Sequence, residues 1–109
     1  MINGDGEQTR DFTYISDVIE ANILAANINN KKCFGEAFNI GAGRNISVNE
    51  VAKNILDIFG KNIEVIHGPA VIEPKNTLAD IYKSKRLLGW EPKVSFENGI
   101  KNTFEYFKK

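Results

Sequence analysis

Apolar residues recur at helical spacing in one well-bounded central segment. Its apolar positions are Val48, Val51, Ala52, Ile55 and Phe59. Spacings of i, i+3, i+4, i+7 and i+11 predict an amphipathic helix. Ser47 followed three residues later by Glu50 is a capping box, and Gly60 is typical of a helix C-terminus. The pattern therefore predicts both the helix and its two ends.

Two further segments also have helical patterns. After Ser95, a typical N-cap residue, one apolar stripe is formed by Phe96, Ile100, Phe104 and Phe107. From Val18 to Ile28 the apolar residues occupy a wide arc, and Asp17 with Glu20 predicts an N-cap at its start. A helix that is apolar over so wide an arc needs cover on more than one side.

Short strands alternate with these helices. Strands are predicted at 12–15, 37–40 and 63–66 from alternation and from β-branched or aromatic content. Asp80 is predicted to cap a short helix that runs through Leu88 and stops at Gly89. Residues 3–11 form a glycine-rich polar loop, and 67–79 is irregular. The pattern predicts an α+β (mixed α/β) fold, a small domain of helices and short strands over residues 1–109, without enough strands for a complete sheet.

Composition excludes several classes of protein. The 109 residues carry 14 basic and 14 acidic side chains, so no net field draws the chain to nucleic acid or an anionic membrane. Cys33 is the single cysteine, which rules out an internal disulfide and favours a reducing compartment. We find neither a run of about 20 apolar residues nor a signal-peptide layout at the N-terminus. These features predict a cytoplasmic protein.

Two glycine-containing loops could bind anions. The Gly41 to Ile46 loop has the first two glycines of a dinucleotide fingerprint, but Ile46 stands where the third belongs. The 5–11 run is not an EF-hand loop, since Arg10 occupies the position that requires glycine. The first loop is either part of a dinucleotide site or an ordinary turn. The second is either a solvated loop or an anion site built from backbone amides and a guanidinium.

Catalytic groups cannot be assembled from these residues. His67 is the single histidine and has no identifiable nucleophile or metal partner in the sequence. Cys33 lies beside two lysines, which could lower a thiol pKa, but no other residue points to a thiol enzyme. We therefore expect no catalytic residue, no metal site and no independent active site.

One long run and four shorter motifs carry a family resemblance. The run is Gly-Asp-Gly-Glu-Gln-Thr-Arg-Asp-Phe-Thr-Tyr-Ile-Ser-Asp-Val at 4–18. It is followed in order by Phe-Asn-Ile-Gly-Ala-Gly at 38–43, Ser-Val-Asn-Glu at 47–50, Leu-Ala-Asp at 78–80 and Leu-Leu-Gly-Trp-Glu-Pro at 87–92. Together they closely resemble the NAD-dependent epimerase/dehydratases, extended short-chain dehydrogenases/reductases that include UDP-glucose 4-epimerase.

The resemblance implies four substrate-binding residues. Arg10 matches the family arginine that holds the substrate diphosphate, and Phe12 matches a position that lines the nucleotide. Arg44 belongs to the Gly41 to Ile46 loop, which matches a family loop near the nucleotide. Glu73 matches the acidic residue of an Arg-x-Gly-Asp-type stretch, whereas Ala70 stands where that stretch has a second phosphate arginine.

The resemblance also implies what the chain does. The family's glycine-rich NAD loop and its Tyr-x-x-x-Lys pair do not occur in this sequence. We therefore expect the C-terminal, UDP- or dTDP-sugar-binding portion of an epimerase or dehydratase, present as a fragment or split-gene product and not catalytic on its own. NAD is expected in the complete enzyme and not on this chain alone. A Rossmann half supplied in trans, or self-association, would cover the strand edges and the apolar helix that this portion leaves exposed. The alternative is a non-enzymatic remnant, or an oligomerising interaction domain, with an eroded phosphate site.

Overall fold

The computed structural model describes residues 1–108 and confirms the mixed α+β class. Its elements, in chain order, are β1 (Ile2–Asn3), β2 (Thr9–Asp11), α1 (Ile15–Asn27), a 3₁₀ turn (Lys31–Cys33), β3 (Asn45–Ser47), α2 (Val48–Phe59), β4 (His67–Gly68), a π-helical turn (Ser84–Leu88) and α3 (Phe96–Phe107). β1 pairs in parallel with β4, and β2 pairs antiparallel with β3. Residue 109 lies outside the described residues.

The two amphipathic helices have the bounds that their patterns predict. α2 begins after Ser47, whose hydroxyl accepts from the amide of Glu50 (3.1 Å), and it ends at Gly60 in the left-handed conformation. α3 begins after Ser95, whose hydroxyl accepts from the amide of Asn98 (3.2 Å). Only half of the capping box forms, because the Glu50 carboxylate turns away to a different partner.

The predicted start of α1 is wrong. The helix begins at Ile15 after Tyr14, which makes no side-chain cap. Asp17 lies inside the first turn and is buried, because its carboxylate accepts backbone amides from a distant segment. The predicted strand at 12–15 is also wrong, since the strand ends one residue earlier, at Asp11.

The strands predicted at 37–40 and 63–66 are displaced or absent. Residues 37–40 form no strand among the described residues, because side chains rather than a neighbouring strand satisfy their carbonyls. Lys83 Nζ donates to Ala37 O (2.9 Å), and the Ser84 hydroxyl donates to Asn39 O. The strand expected at 63–66 lies at His67–Gly68 instead.

The helix predicted from Asp80 through Leu88 is present from Tyr82, but most of it is π-helical and not α-helical. Asp80 Oδ1 accepts the amide of Tyr82 (2.9 Å), as a cap would, but Ser84–Leu88 is π-helical. Gly89 ends the turn in the left-handed conformation, as predicted.

A small core lies between α1 and the π-helical turn. Trp90 is 1% exposed, and its Nε1 donates to Asp17 O in the first turn of α1 (2.9 Å). The buried residues of this cluster are Ala21, Cys33, Leu88 and Trp90. Separately from this cluster, α2 and α3 meet through the rings of Phe59 and Phe104, whose centroids are 4.5 Å apart.

The molecule is an open slab. Its extents are 52 × 35 × 17 Å and its radius of gyration is 16.7 Å, against about 13 Å for a compact chain of this length. Its accessible surface is 7809 Å², whereas a compact 12 kDa protein exposes about 6,100 Å². The chain therefore exposes about 1,700 Å² more surface than a compact protein of its mass.

Candidate functional site

Arg10 and Glu73 form an ion pair across 63 residues of sequence. The Arg10 Nη2 group donates to Glu73 Oε2, while its Nη1 group donates to Thr9 O (2.7 Å). The side chains are 27% and 33% exposed. Two residues predicted to bind substrate are therefore in direct contact, and part of the guanidinium still faces solvent.

Backbone pairing to β2 holds Glu73 in this place. The Thr9 amide donates to Lys75 O (2.8 Å), and the Thr77 amide donates to Thr9 O (3.2 Å). The Thr9 hydroxyl adds a bond to Asn76 Oδ1 (2.9 Å). Segment 75–77 thus runs beside β2, which brings the residues just before it to the Arg10 side chain.

An open cleft of about 380 Å³ lies beside this ion pair. Its walls include Asn3, Asp5, Gln8, Ala70, Glu73 and Lys75. Gln8 Nε2 donates to Glu73 Oε1 (3.1 Å) and to Asn3 O (3.0 Å), so it fixes the carboxylate on the wall. Ala70 brings no cation to a wall that already holds two carboxylates. Ala70, the position to which the resemblance assigns a second phosphate arginine, therefore lies on the wall of this cleft.

Phe12 and Arg44 line a second cleft, of about 210 Å³. Phe12 is 38% exposed, and its ring lies 5.8 Å from that of Phe96, centroid to centroid. Lys93 is also on the wall, so the cleft combines two aromatic rings with two cations. Aromatic faces and cations are groups that a nucleotide base and phosphates would contact.

Arg44 joins the first turns of two helices. Its Nη1 donates to Glu97 Oε1 (2.9 Å) in α3, and its Nη2 donates to Glu50 Oε1 (3.0 Å) in α2. The hydrogen bond with Glu97 raises the pKa of Arg44. The pKa of Glu97 is lowered, first by its own backbone amide and then by Arg44. A phosphate at Arg44 would therefore share the guanidinium with two carboxylates.

The Gly41–Gly43 turn is held by Asp11. The amides of Ala42 and Gly43 donate to the two Asp11 carboxylate oxygens, at 2.8 and 3.1 Å, and the Ala79 amide donates to Oδ2 at 3.3 Å. A Cβ on Gly41 would lie 2.5 Å from both Asp11 Oδ2 and Ala79 Cβ. Glycine at 41 is therefore required by close approach.

This turn does not fit the pyrophosphate of NAD. A dinucleotide cradle offers free amides at the N-terminus of a helix. Here the amides of Ala42 and Gly43 are occupied by Asp11, and β3 rather than a helix follows. Of the two interpretations of this loop, the structure favours the ordinary turn, and we assign no residue of it to NAD.

Asn49 fastens the Gly-Asp-Gly loop to α2. Its Nδ2 donates to Asp5 O (2.9 Å) and Glu7 Oε1 (2.7 Å), while its amide donates to Gly6 O (3.0 Å). A Cβ on Gly6 would lie 2.0 Å from Asn49 Oδ1, and Gly6 has φ +75°. In Ser-Val-Asn-Glu, the serine thus caps α2, the asparagine holds the loop and the glutamate binds Arg44.

Sequence reasoning missed three of these roles. Asp11 and Asn49 belong to the quoted motifs, but the sequence predicted no role for them. Asp17 was predicted to be the N-cap of α1. Asp17 Oδ2 instead accepts the amides of Lys93 (3.2 Å) and Val94 (3.1 Å), which form one wall of the Phe12 cleft. These roles have no local signal in the sequence, because each side chain bonds to a segment that is distant along the chain.

His67 and Cys33 have local partners. His67 is exposed, and its Nδ1 lies 2.9 Å from Gly4 O. Cys33 is buried, with Sγ 3.5 Å from Leu87 O. Among residues 1–108 no three His, Cys, Asp or Glu side chains converge as metal ligands. Nor does any helix within that range have the length and apolarity to cross a membrane.

A protein-family model decides the family. The model for GDP-mannose 4,6 dehydratase matches residues 1–103. The chain belongs to the NAD-dependent epimerase/dehydratase family. This confirms the resemblance carried by the five motifs; the family is one of nucleotide-sugar epimerases and dehydratases.

Individual relatives support the same family assignment. The chain is 35% identical over 116 residues to UDP-N-acetyl-alpha-D-glucosaminuronate decarboxylase of Bacillus cytotoxicus, covering all of this chain and 35% of that protein. UDP-glucose 4-epimerase of Thermotoga maritima, solved with UDP-glucose, has a TM-score of 0.88 and 41% identity, with 98% and 34% coverage. UDP-glucuronic acid 4-epimerase of Bacillus cereus, solved with UDP-glucuronic acid and NAD, has a TM-score of 0.91 and 39% identity, with the same coverage.

The chain therefore spans about a third of the length of these relatives. Decarboxylase and epimerase names both occur among them, and all three names contain a UDP-linked sugar. These three relatives thus share a UDP-linked sugar in their names, whereas the named reactions differ.

Proposed function

We propose that this chain is the nucleotide-sugar-binding portion of a UDP-glucose 4-epimerase-like enzyme and is not catalytic on its own. Arg10 and Phe12, with Arg44 and Glu73, form its substrate site. The ligand is a UDP- or dTDP-linked sugar. Relatives solved with UDP-glucose and UDP-glucuronic acid support this ligand class.

One observation carries the proposal. Phe12 and Arg44, 32 residues apart, line one open cleft, and Arg10 lies two residues before Phe12 on the adjoining strand. The Phe12 ring and the Arg44 guanidinium therefore share one cleft, and Arg10 lies beside the other cleft through its ion pair with Glu73. The planar guanidinium of Arg10 suits a diphosphate, and the exposed Phe12 ring offers a face for a base.

Glu73 fits the same site through its hydrogen-bonding capacity. Its carboxylate accepts from Arg10 and from Gln8 and remains a third exposed. A carboxylate in this position can accept hydrogen bonds from ligand hydroxyls while it holds Arg10 in place. This role requires the ligand to enter without displacing the ion pair completely.

An NMR amide titration of the full chain with UDP-glucose tests the proposal, with NAD as the comparison ligand. We expect saturable shifts confined to residues around Arg10, Phe12 and Arg44. Arg10→Ala removes a charge-assisted contact and should weaken binding about ten- to a hundredfold. The matched control is Arg86→Ala, because Arg86 is exposed and lies over the Tyr82 ring, away from both clefts.

Specific outcomes would contradict it. Equal affinity of Arg10→Ala and the wild-type chain would remove Arg10 from the site. A well-dispersed spectrum that responds to neither UDP- nor dTDP-linked sugars at millimolar concentration would overturn the binding function itself.

We also propose that a further protein surface, a Rossmann half of the same enzyme type, covers one side of α1. Ile15, Ile19 and Ile23 lie at i, i+4 and i+8 and are 61%, 52% and 57% exposed; we call them the α1 face. The excess accessible surface of about 1,700 Å² is about twice what one partner buries in a standard interface. Self-association through the same face is the competing way to cover it.

A further inference from the structure

We infer that Asp11 is a positioning residue, which sets the separation between Phe12 and Arg44 in the proposed ligand cleft. The inference rests on the proposed function of that cleft. It concerns a side chain that does not itself line the cleft wall. Asp11 acts through the backbone of three segments that meet at its carboxylate.

The carboxylate makes three hydrogen bonds to backbone amides. Oδ1 accepts from Ala42 at 2.8 Å, and Oδ2 accepts from Gly43 at 3.1 Å and from Ala79 at 3.3 Å. Hydrogen bonds from backbone amides to a charged acceptor are stronger than hydrogen bonds between neutral groups. Two loops that lie 31 and 68 residues away in sequence are therefore tied to the end of β2.

The chain neighbours of these groups explain the effect on the cleft. Phe12 follows Asp11 directly, and Arg44 follows Gly43 directly. Ala42, whose amide makes the shortest of the three bonds, is itself on the cleft wall. A carboxylate that fixes residues 42 and 43 relative to residue 11 consequently fixes Phe12 and Arg44, which both line the cleft.

Aspartate suits this position better than its close analogues. Asparagine has one acceptor oxygen, and its NH₂ group would face at least one amide donor. Glutamate would place the carboxylate one methylene farther out, although Gly41 already approaches so closely that a Cβ there would lie 2.5 Å from Oδ2. Both changes should therefore loosen the turn without removing a residue from the cleft.

Amide hydrogen exchange measured by NMR on the full chain tests the clamp without ligand. In Asp11→Asn, exchange at Ala42, Gly43 and Ala79 should accelerate together by about five- to tenfold, while the α2 amides keep their rates. The Phe12 ring and Arg44 Nε resonances should shift in the same spectra. The control is Asp57→Asn, an exposed aspartate of α2 for which the structure shows no side-chain hydrogen bond within residues 1–108.

The affinity for the ligand is measured in a separate titration. UDP-glucose should bind Asp11→Asn about tenfold more weakly, with wild-type affinity in Asp57→Asn. Unchanged exchange at the three amides overturns the clamp. Accelerated exchange with unchanged Phe12 and Arg44 resonances, or with unchanged affinity, overturns the positioning role.

If the wild-type chain binds no nucleotide sugar, the proposed function is wrong. The exchange rates and the Phe12 and Arg44 resonances then still test whether Asp11 holds the turn in place. If Asp11→Asn does not fold, Asp11→Glu keeps the charge and should give smaller changes of the same sign. Wild-type exchange rates in Asp11→Glu would overturn the inference.

Discussion

Arg10 meets its counter-ion Glu73 on the wall of the cleft where a diphosphate would lie. The guanidinium that should attract phosphate is thus already paired with a carboxylate in the free chain. The wall of the same cleft carries the carboxylates of Asp5 and Glu73 and the cation of Lys75, and Ala70 adds no further cation. The balance of charge in this cleft, more than its shape, should set the affinity for anionic ligands.

Ala70→Arg should strengthen nucleotide-sugar binding. One added charge-assisted phosphate contact is worth about 1.5–3 kcal/mol, and in so open a cleft we expect the lower end, about tenfold in Kd. Isothermal titration with UDP-glucose at low and high salt measures it, since the gain should shrink as salt screens the charge. Ala70→Gln supplies similar length without charge and should leave Kd unchanged; equal gains in both variants would sink the charge argument.

Gly41→Ala should destabilise the fold by about 1–3 kcal/mol, because the new methyl group would meet Asp11 Oδ2 and Ala79 Cβ at 2.5 Å. Urea unfolding followed by circular dichroism measures the free energy of unfolding. Adding Ala79→Gly removes one of the two clashing atoms and should recover part of the loss. A stability loss that Ala79→Gly does not touch would show that the close contact is not its cause.

The Glu97 carboxyl should titrate below its ordinary range, because its pKa is lowered by its own backbone amide and by Arg44. A lowered folded-state pKa stabilises the fold above the unfolded value, and that contribution disappears as the pH falls through the folded value. In Arg44→Ala the Glu97 pKa should rise but stay below the ordinary value, since the larger, backbone cause remains.

Carbon-detected NMR titration of the Glu97 side chain gives both midpoints. Arg86→Ala serves as the control, because Arg86 lies over Tyr82 rather than at Glu97. A Glu97 midpoint that does not move in Arg44→Ala would contradict the ion pair.

Charges on the α1 face should prevent self-association without unfolding the chain. Ile19 and Ile23 are both more than half exposed, so Ile19→Glu with Ile23→Glu should change stability by less than about 1 kcal/mol. Sedimentation velocity over a concentration series should show association in the wild-type chain and a monomer in the double variant. Ala25→Glu adds charge on an exposed but different side of α1 and should associate like wild type. Association that survives in the double variant would assign it to another surface.

The helices could be predicted because their signals are local. Ser47 and Gly60 bound α2 through contacts within a few residues, and Ser95 does the same for α3. The strands depend on partners elsewhere in the chain. Segment 37–40 has strand residues but meets the side chains of Lys83 and Ser84 instead of another strand. No local pattern contains that information.

The residues of the candidate site likewise include some that the sequence predicts and some that it does not. The family motifs pointed to Arg10 and Phe12, and the counted position of Glu73 proved to be in contact with Arg10. The clamping roles of Asp11 and Asp17 could not be predicted, because each carboxylate accepts amides from segments 31 to 77 residues away. Whether these residues bind substrate stays a prediction for the titrations above.

The 17 Å thickness of the slab has a consequence for the thermodynamics of unfolding. An unfolded chain of this mass exposes about 17,700 Å², so folding to 7809 Å² buries about 15% less surface than folding to a compact shape would. Heat-capacity change and denaturant m-value both scale with newly exposed area. This chain should therefore unfold with a broad transition and a shallow stability curve, and both should sharpen when a partner covers its open side.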